Sequence, residues 1–90
     1  MSETDLEITR KRLLWRATHR GIKEMDILVG GYARVHLTAM NEAELTLFAE
    51  LLEIPDHDLL SWATNQSAVQ PHQQSAMLDS MLRFRPEGHL

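Results

Sequence analysis

The sequence predicts an all-α fold: a small five-helix bundle forming a single domain. Apolar residues recur at spacings of three and four along most of the chain, the period of a helix face rather than of a strand. Only four glycines and three prolines interrupt it, and charged residues are interspersed with Leu, Ala and Met, a composition that favours helices. With 43% hydrophobic and 24% charged residues the chain is globular rather than disordered. Ninety residues make one domain, 1–90, with an ordered core over about 4–84 and a frayed tail over 85–90.

The first helix is expected over about 4–18, with Thr4 as N-cap and Glu7 completing a capping box. Leu6, Leu13 and Ala17 share one face, while Ile8 and Trp15 mark a second stripe. Such a helix either packs against two neighbours or shows one stripe to a partner. Core packing is the expected fate of Trp15. His19-Arg20-Gly21 then breaks the pattern, and Gly21 is the expected site of a left-handed residue ending the helix.

A second helix carries Ile22, Met25, Val29 and Tyr32 and is expected to run to about residue 39. Gly30-Gly31 lies inside it, at a cost of about 2 kcal/mol relative to alanine, so either the helix bends there or another backbone packs close. Asn41 reads as the next N-cap, with Glu44 as its capping-box partner and Met40 and Leu45 as a hydrophobic staple. The third helix buries Leu45, Phe48 and Leu52 and stops at Ile54-Pro55. Asp56 is expected to cap a short fourth helix carrying Leu59, Leu60, Trp62 and Ala63. A polar loop leads to the last helix, expected over about 71–84 and burying Met77, Leu78, Met81 and Leu82.

Several function classes are disfavoured. No apolar run approaches the ~20 residues needed to span a bilayer, so no membrane insertion is expected. The polar, acidic start resembles neither a secretory signal nor a transit peptide, and the absence of cysteine fits a reducing compartment. The expectation is a cytoplasmic, bacterial protein. A net charge of −4 argues against nucleic acid as partner.

Charge is unevenly spread. Arg10, Lys11, Arg12, Arg16, Arg20 and Lys23 are six of nine basic residues, whereas the stretch 42–58 holds six acids and no base. The pattern describes either a dipolar molecule steered onto a charged protein or two ordinary solvated faces.

No constellation carries catalysis. The five histidines are scattered without metal-ligand spacing, and the Asp56-His57-Asp58 run reads as a solvated helix start. The serines lack a glycine-bracketed elbow, and Gly30-Gly31 follows no strand and belongs to no phosphate-binding pattern. Catalytic, cofactor-binding and metal-ligating residues are therefore each expected to be none. The informative stretch is His19-Arg20-Gly21-Ile22-Lys23-Glu24-Met25-Asp26, where charged groups gather beside a glycine turn and a helix start. Arg20 is spaced to reach Glu24 if both belong to one helix, and the carboxylates would favour the helix dipole.

Arg20-Gly21-x-x-Glu24-x-Asp26 resembles the RGxxE signature of the succinate dehydrogenase flavinylation-factor family, which has bacterial and mitochondrial members. Leu51-Leu52-Glu53, Asp56, Asp58-Leu59 and Trp62 look like that family's second recurrent block, so the match runs over about residues 6–62. His19 stands where bacterial relatives often have a second arginine.

The resemblance implies a five-helix, non-enzymatic assembly factor. Its partner would be the flavoprotein subunit of succinate dehydrogenase, or that of fumarate reductase. It would promote a covalent bond between a client histidine and the FAD 8α-methyl group, the FAD belonging to the client. It implies Arg20, Gly21, Glu24 and Asp26 as the partner-binding surface, with Lys23 and His19 beside them. A monomer is expected. The alternative is a generic helical adaptor or antitoxin-like binding protein; a small nucleic-acid-binding domain using the basic stretch ranks lower.

Overall fold

A computed structural model describes residues 2–85, all helical or connecting, with no strand among them. Five α-helices follow in order: α1 (Glu3–Thr18), α2 (Lys23–His36), α3 (Glu42–Leu51), α4 (Asp56–Ala63) and α5 (Ala76–Arg83). Short 3₁₀ turns lie at Leu37–Ala39 and Pro71–Gln73. The five-helix, all-α expectation holds. Most of the expected frayed tail, 86–90, lies outside the described residues.

Helix α1 begins earlier than expected. Ser2, not Thr4, is its N-cap and accepts from the Asp5 N–H at 3.1 Å. Both positions offer a hydroxyl with an acid three residues on, and hydrophobic spacing does not separate them. α1 sends one stripe inward: Leu13 and Ala17 are buried and Leu6 packs against the core. Ile8 and Trp15 each fall two residues beyond a member of that stripe, a rotation of about 200° on a helix. They therefore face away from the core, at 43% and 61% exposed. The expected core packing of Trp15 is not found.

α2 is the central element, packing against α1, α4 and α5. Met25, Leu28, Val29, Tyr32 and Ala33 are all buried along it. Gly30 resolves the choice between a bend and a close approach. A Cβ there would lie 2.9 Å from Thr18 Cγ2 and 3.3 Å from the Ala17 carbonyl oxygen, so α1 crosses α2 at this glycine. The α-helix ends at His36, and the final turn to Ala39 tightens to 3₁₀ geometry, as helix ends often do.

The capping box at α3 forms as expected: the Glu44 N–H donates to Asn41 Oδ1 and the Asn41 N–H donates to Glu44 Oε1, both at 2.9 Å. Met40 and Leu45, on either side of it, are both buried. Phe48, Leu45, Leu59, Leu78 and Met81 complete the centre of the core with Met25 and Val29.

α4 ends on Asn65, which adopts φ 61°. The Gln66 N–H donates to the Ser61 carbonyl at 2.8 Å and the Asn65 N–H to that of Trp62 at 3.2 Å. This is a Schellman closure with asparagine in the usual glycine position. The last helix is shorter than expected. Extended backbone at Gln74 separates the Pro71–Gln73 turn from α5, whose N-cap Ser75 accepts from the Leu78 N–H at 3.1 Å. Phe84 follows in extended conformation and packs edge-on against Tyr32, with ring centroids 5.8 Å apart.

Candidate functional site

The turn between α1 and α2 and the start of α2 hold every residue singled out as a candidate, but they do two different jobs. Arg20 points inward. Its side chain is only 9% exposed and lies against the corner between α3 and α4. Nε donates to Asp56 Oδ1 at 2.6 Å, one terminal nitrogen to the Leu52 carbonyl at 2.7 Å, and the other to the Ile54 carbonyl at 2.6 Å. The Arg20 backbone N–H donates to Asp26 Oδ1, and the Gly21 N–H donates to Asp56 Oδ2 at 2.9 Å. Asp56 thus receives the arginine on one oxygen and the glycine amide on the other, fixing the turn from behind.

The local chemistry explains this arrangement. α3 has no basic residue in its last turn and no glycine closing it, so the carbonyls at its end need donors from elsewhere. The guanidinium supplies them with a rigid planar fork that an ammonium lacks. Two expectations are corrected here. Asp56 is not the cap of α4: Pro55 occupies that position, and the Asp56 carboxylate turns to the Arg20–Gly21 segment instead. Arg20 precedes α2 and does not pair with Glu24; its ionic partner is Asp56.

Gly21 is exposed and does not adopt the left-handed conformation expected of it. α1 closes through His19 at φ −126°, and Ile22 in extended geometry starts α2. What glycine provides is a bare backbone at the surface. A Cβ at Gly21 would meet only Asp56 Oδ2, at an ordinary 3.4 Å.

Lys23 and Glu24, in the first turn of α2, are exposed, and Glu24 makes no polar contact with any described residue. Asp26 is half-buried beneath the turn. His19 stacks its ring on Trp15, with centroids 4.3 Å apart and planes 12° from parallel. The site therefore has an outer layer of His19, Gly21, Lys23 and Glu24. An inner brace of Arg20, Asp26 and Asp56 supports it.

The basic stretch divides in the same way. Arg10 donates to the carbonyls of Leu37 (3.3 Å) and Met40 (2.9 Å), closing the end of α2 as Arg20 closes α3. Arg16 pairs with Glu53 at 3.2 Å. Half of the cluster thus ties α1 and the turn to the segments that follow, leaving Lys11, Arg12 and Lys23 as its exposed cations.

The geometry offers a surface rather than a pocket. A cleft of about 490 Å³ beside α5, lined by Val69, Gln74, Ser75, Leu78, Asp79 and Leu82, contains none of the turn residues. Among the described residues no three His, Asp or Glu side chains gather to hold a metal, and no helix is long and apolar enough to cross a membrane.

Fold and site together describe a small helical protein whose braced turn leaves bare backbone and an uncommitted carboxylate at its surface. Comparison with known proteins gives this class a family. Residues 11–85 match the family model described as flavinator of succinate dehydrogenase. The chain is 35% identical over 82 residues to the FAD assembly factor SdhE of Acetobacter pasteurianus, covering 91% of this chain and 75% of that protein. It is 39% identical over 67 residues to the mitochondrial succinate dehydrogenase assembly factor 2 of Yarrowia lipolytica, covering 74% of this chain and 46% of that one. The corresponding protein of Saccharomyces cerevisiae is 39% identical over 66 residues, with 73% and 41% covered. The chain spans under half the length of these mitochondrial relatives. It belongs to the succinate dehydrogenase flavinator family, whose members are assembly factors and not enzymes.

Proposed function

We propose that this chain binds the flavoprotein subunit of succinate dehydrogenase through the α1–α2 turn and promotes covalent attachment of FAD to a histidine of that subunit. The observation that carries the proposal is the two-layer turn. Gly21 and Glu24 are exposed on a segment that Arg20 and Asp56 hold rigid from beneath. Family membership supplies the client, and the braced turn supplies a surface pre-organised to meet it.

The chemistry belongs to the client and its flavin; this chain contributes position. Holding a client histidine against the flavin 8α-methyl group recovers several kcal/mol, of the order known for proximity and orientation. Any side chain at Gly21 would stand between the client and the backbone, and Glu24 offers a carboxylate that no described residue already occupies. FAD is bound by the client, not by this chain. Fumarate reductase's flavoprotein subunit is a second client of the same chemistry. We place its action in the bacterial cytosol, as a monomer, following the bacterial relative that is 35% identical over 82 residues.

The test is client flavinylation in cells lacking the factor, read as flavin fluorescence retained by the client on a denaturing gel. Wild type restores the signal, and the Gly21→Arg and Glu24→Ala variants do not. Equal signal with and without the factor would overturn the proposal and leave a helical adaptor for some other partner.

A further inference from the structure

Helix α1 carries an outward face that the core does not use and that runs on to His19 of the turn. Ile8, Trp15 and His19 follow one another at spacings of seven and four, and Arg12 lies between them, so all four project from the same side. Trp15 is 61% exposed and Ile8 43%. The indole is nevertheless held in place. It stacks on the His19 ring, and His19 Nδ1 lies 2.8 Å from the Trp15 carbonyl oxygen and 3.1 Å from Thr18 Oγ1. Two aromatic rings are thus held as a platform, framed by the exposed cations Lys11 and Arg12.

We infer that this face is the second half of the client-docking surface, seating an apolar patch rimmed by carboxylates on the flavoprotein subunit that engages the turn. The inference rests on the function proposed above. Three observations support it. The platform is continuous with the turn, since His19 is both its second ring and the residue before Arg20. A fixed indole beside an arginine is the kind of anchor on which interface energy concentrates, because little rotamer freedom is lost on docking. Finally, Lys11 and Arg12 select an acidic counterpart.

The other occupants fit less well. Phosphate-rich nucleic acid is opposed by the net charge of −4 and by Glu3, Asp5 and Glu7 on the same helix. A second copy meeting this face with its own would set Lys11 and Arg12 against the same cations.

The experiment compares binding of the full-length chain to the purified apo flavoprotein subunit of succinate dehydrogenase by calorimetry. The variants are Trp15→Ala, Arg12→Glu and Gly21→Arg, each with its melting temperature. Trp15→Ala is expected to weaken binding at least about tenfold with little change in melting temperature, because the ring contributes nothing to the core. Arg12→Glu, an exposed position that cannot disturb packing, is expected to weaken it as well.

If Trp15→Ala and Arg12→Glu bind within twofold of wild type while Gly21→Arg fails to bind, the inference is overturned and the proposed function stands. If wild type itself does not bind the subunit, the functional proposal falls and this inference with it. Concentration-dependent dimerisation abolished by Trp15→Ala, with client binding unchanged, would assign the face to self-association instead.

Discussion

Arg20 and Glu24 stand four positions apart in one signature, yet the structure gives them opposite surroundings. Arg20 spends its guanidinium on Asp56 and two backbone carbonyls, whereas Glu24 remains uncommitted at the surface. Substitutions should therefore separate stability from function. Asp56→Ala removes the anion facing a nearly buried guanidinium and is expected to cost about 2–3 kcal/mol, below the figure for a fully buried pair because Asp56 keeps 19% of its side chain exposed. Thermal melts check this, with a fall of about 10 °C or more expected for a domain of this size. Arg20→Lys should lose most of the same stability, since one ammonium cannot satisfy the carboxylate and both carbonyls in the same geometry.

Glu24→Ala should melt with wild type and fail to restore client flavinylation. Gly21 takes the same test further. Gly21→Ala should change stability by less than about 1 kcal/mol, since its Cβ meets only an ordinary 3.4 Å contact. Gly21→Arg should keep its far-ultraviolet helix signal and lose client flavinylation. Loss of that helix signal would make the glycine structural.

Among the elements, the α1–α2 pair is the tightest junction. Gly30 lets Thr18 and the Ala17 carbonyl approach so closely that a Cβ there would force them to shift. Gly30→Val is expected to destabilise by about 1–3 kcal/mol through overpacking, read as a lower denaturant midpoint at unchanged slope. A midpoint equal to that of wild type would show that the helices can separate freely there.

The same junction shows what the sequence made legible. The spacing of Met25, Val29 and Tyr32 placed α2, and Asn41 with Glu44 placed the start of α3, because both signals are local: one is a repeat, the other a three-residue box. Trp15 was misjudged because aromatic size argues for burial, whereas the phase of Leu13 and Ala17 puts position 15 on the far side. The Asp56 partnership had no local signal at all. Arg20 lies 36 residues away, and only the absence of a donor at the end of α3 hinted that some distant group must close it. The turn's outer residues were readable through family resemblance, while the division into an outer layer and an inner brace emerged from the fold.

At the scale of the whole molecule, the sequence allowed either a strong charge dipole or two solvated faces, and the fold ties up much of the basic side. Arg10, Arg16 and Arg20 are turned to internal partners, so fewer cations face a client than composition implies. Lys11, Arg12 and Lys23 remain exposed on α1 and at the start of α2. Client association should therefore slow several-fold as salt rises from low to high ionic strength, with a smaller change in dissociation. Stopped-flow mixing at several salt concentrations measures this. A rate indifferent to salt would mean that the exposed cations do not steer the encounter.

The brace behind the turn also constrains how such a protein can change over evolutionary time. Arg20 and Asp56 belong to two separate stretches of sequence, yet a lineage that replaces either one alone passes through an ancestor with an unmatched charge in a nearly closed site. Such an ancestor folds poorly whatever its client requires. A change at either position is therefore expected to be tolerated best when the other changes with it. The two blocks that carry the family resemblance, far apart in the chain, thus meet physically at the Arg20–Asp56 contact.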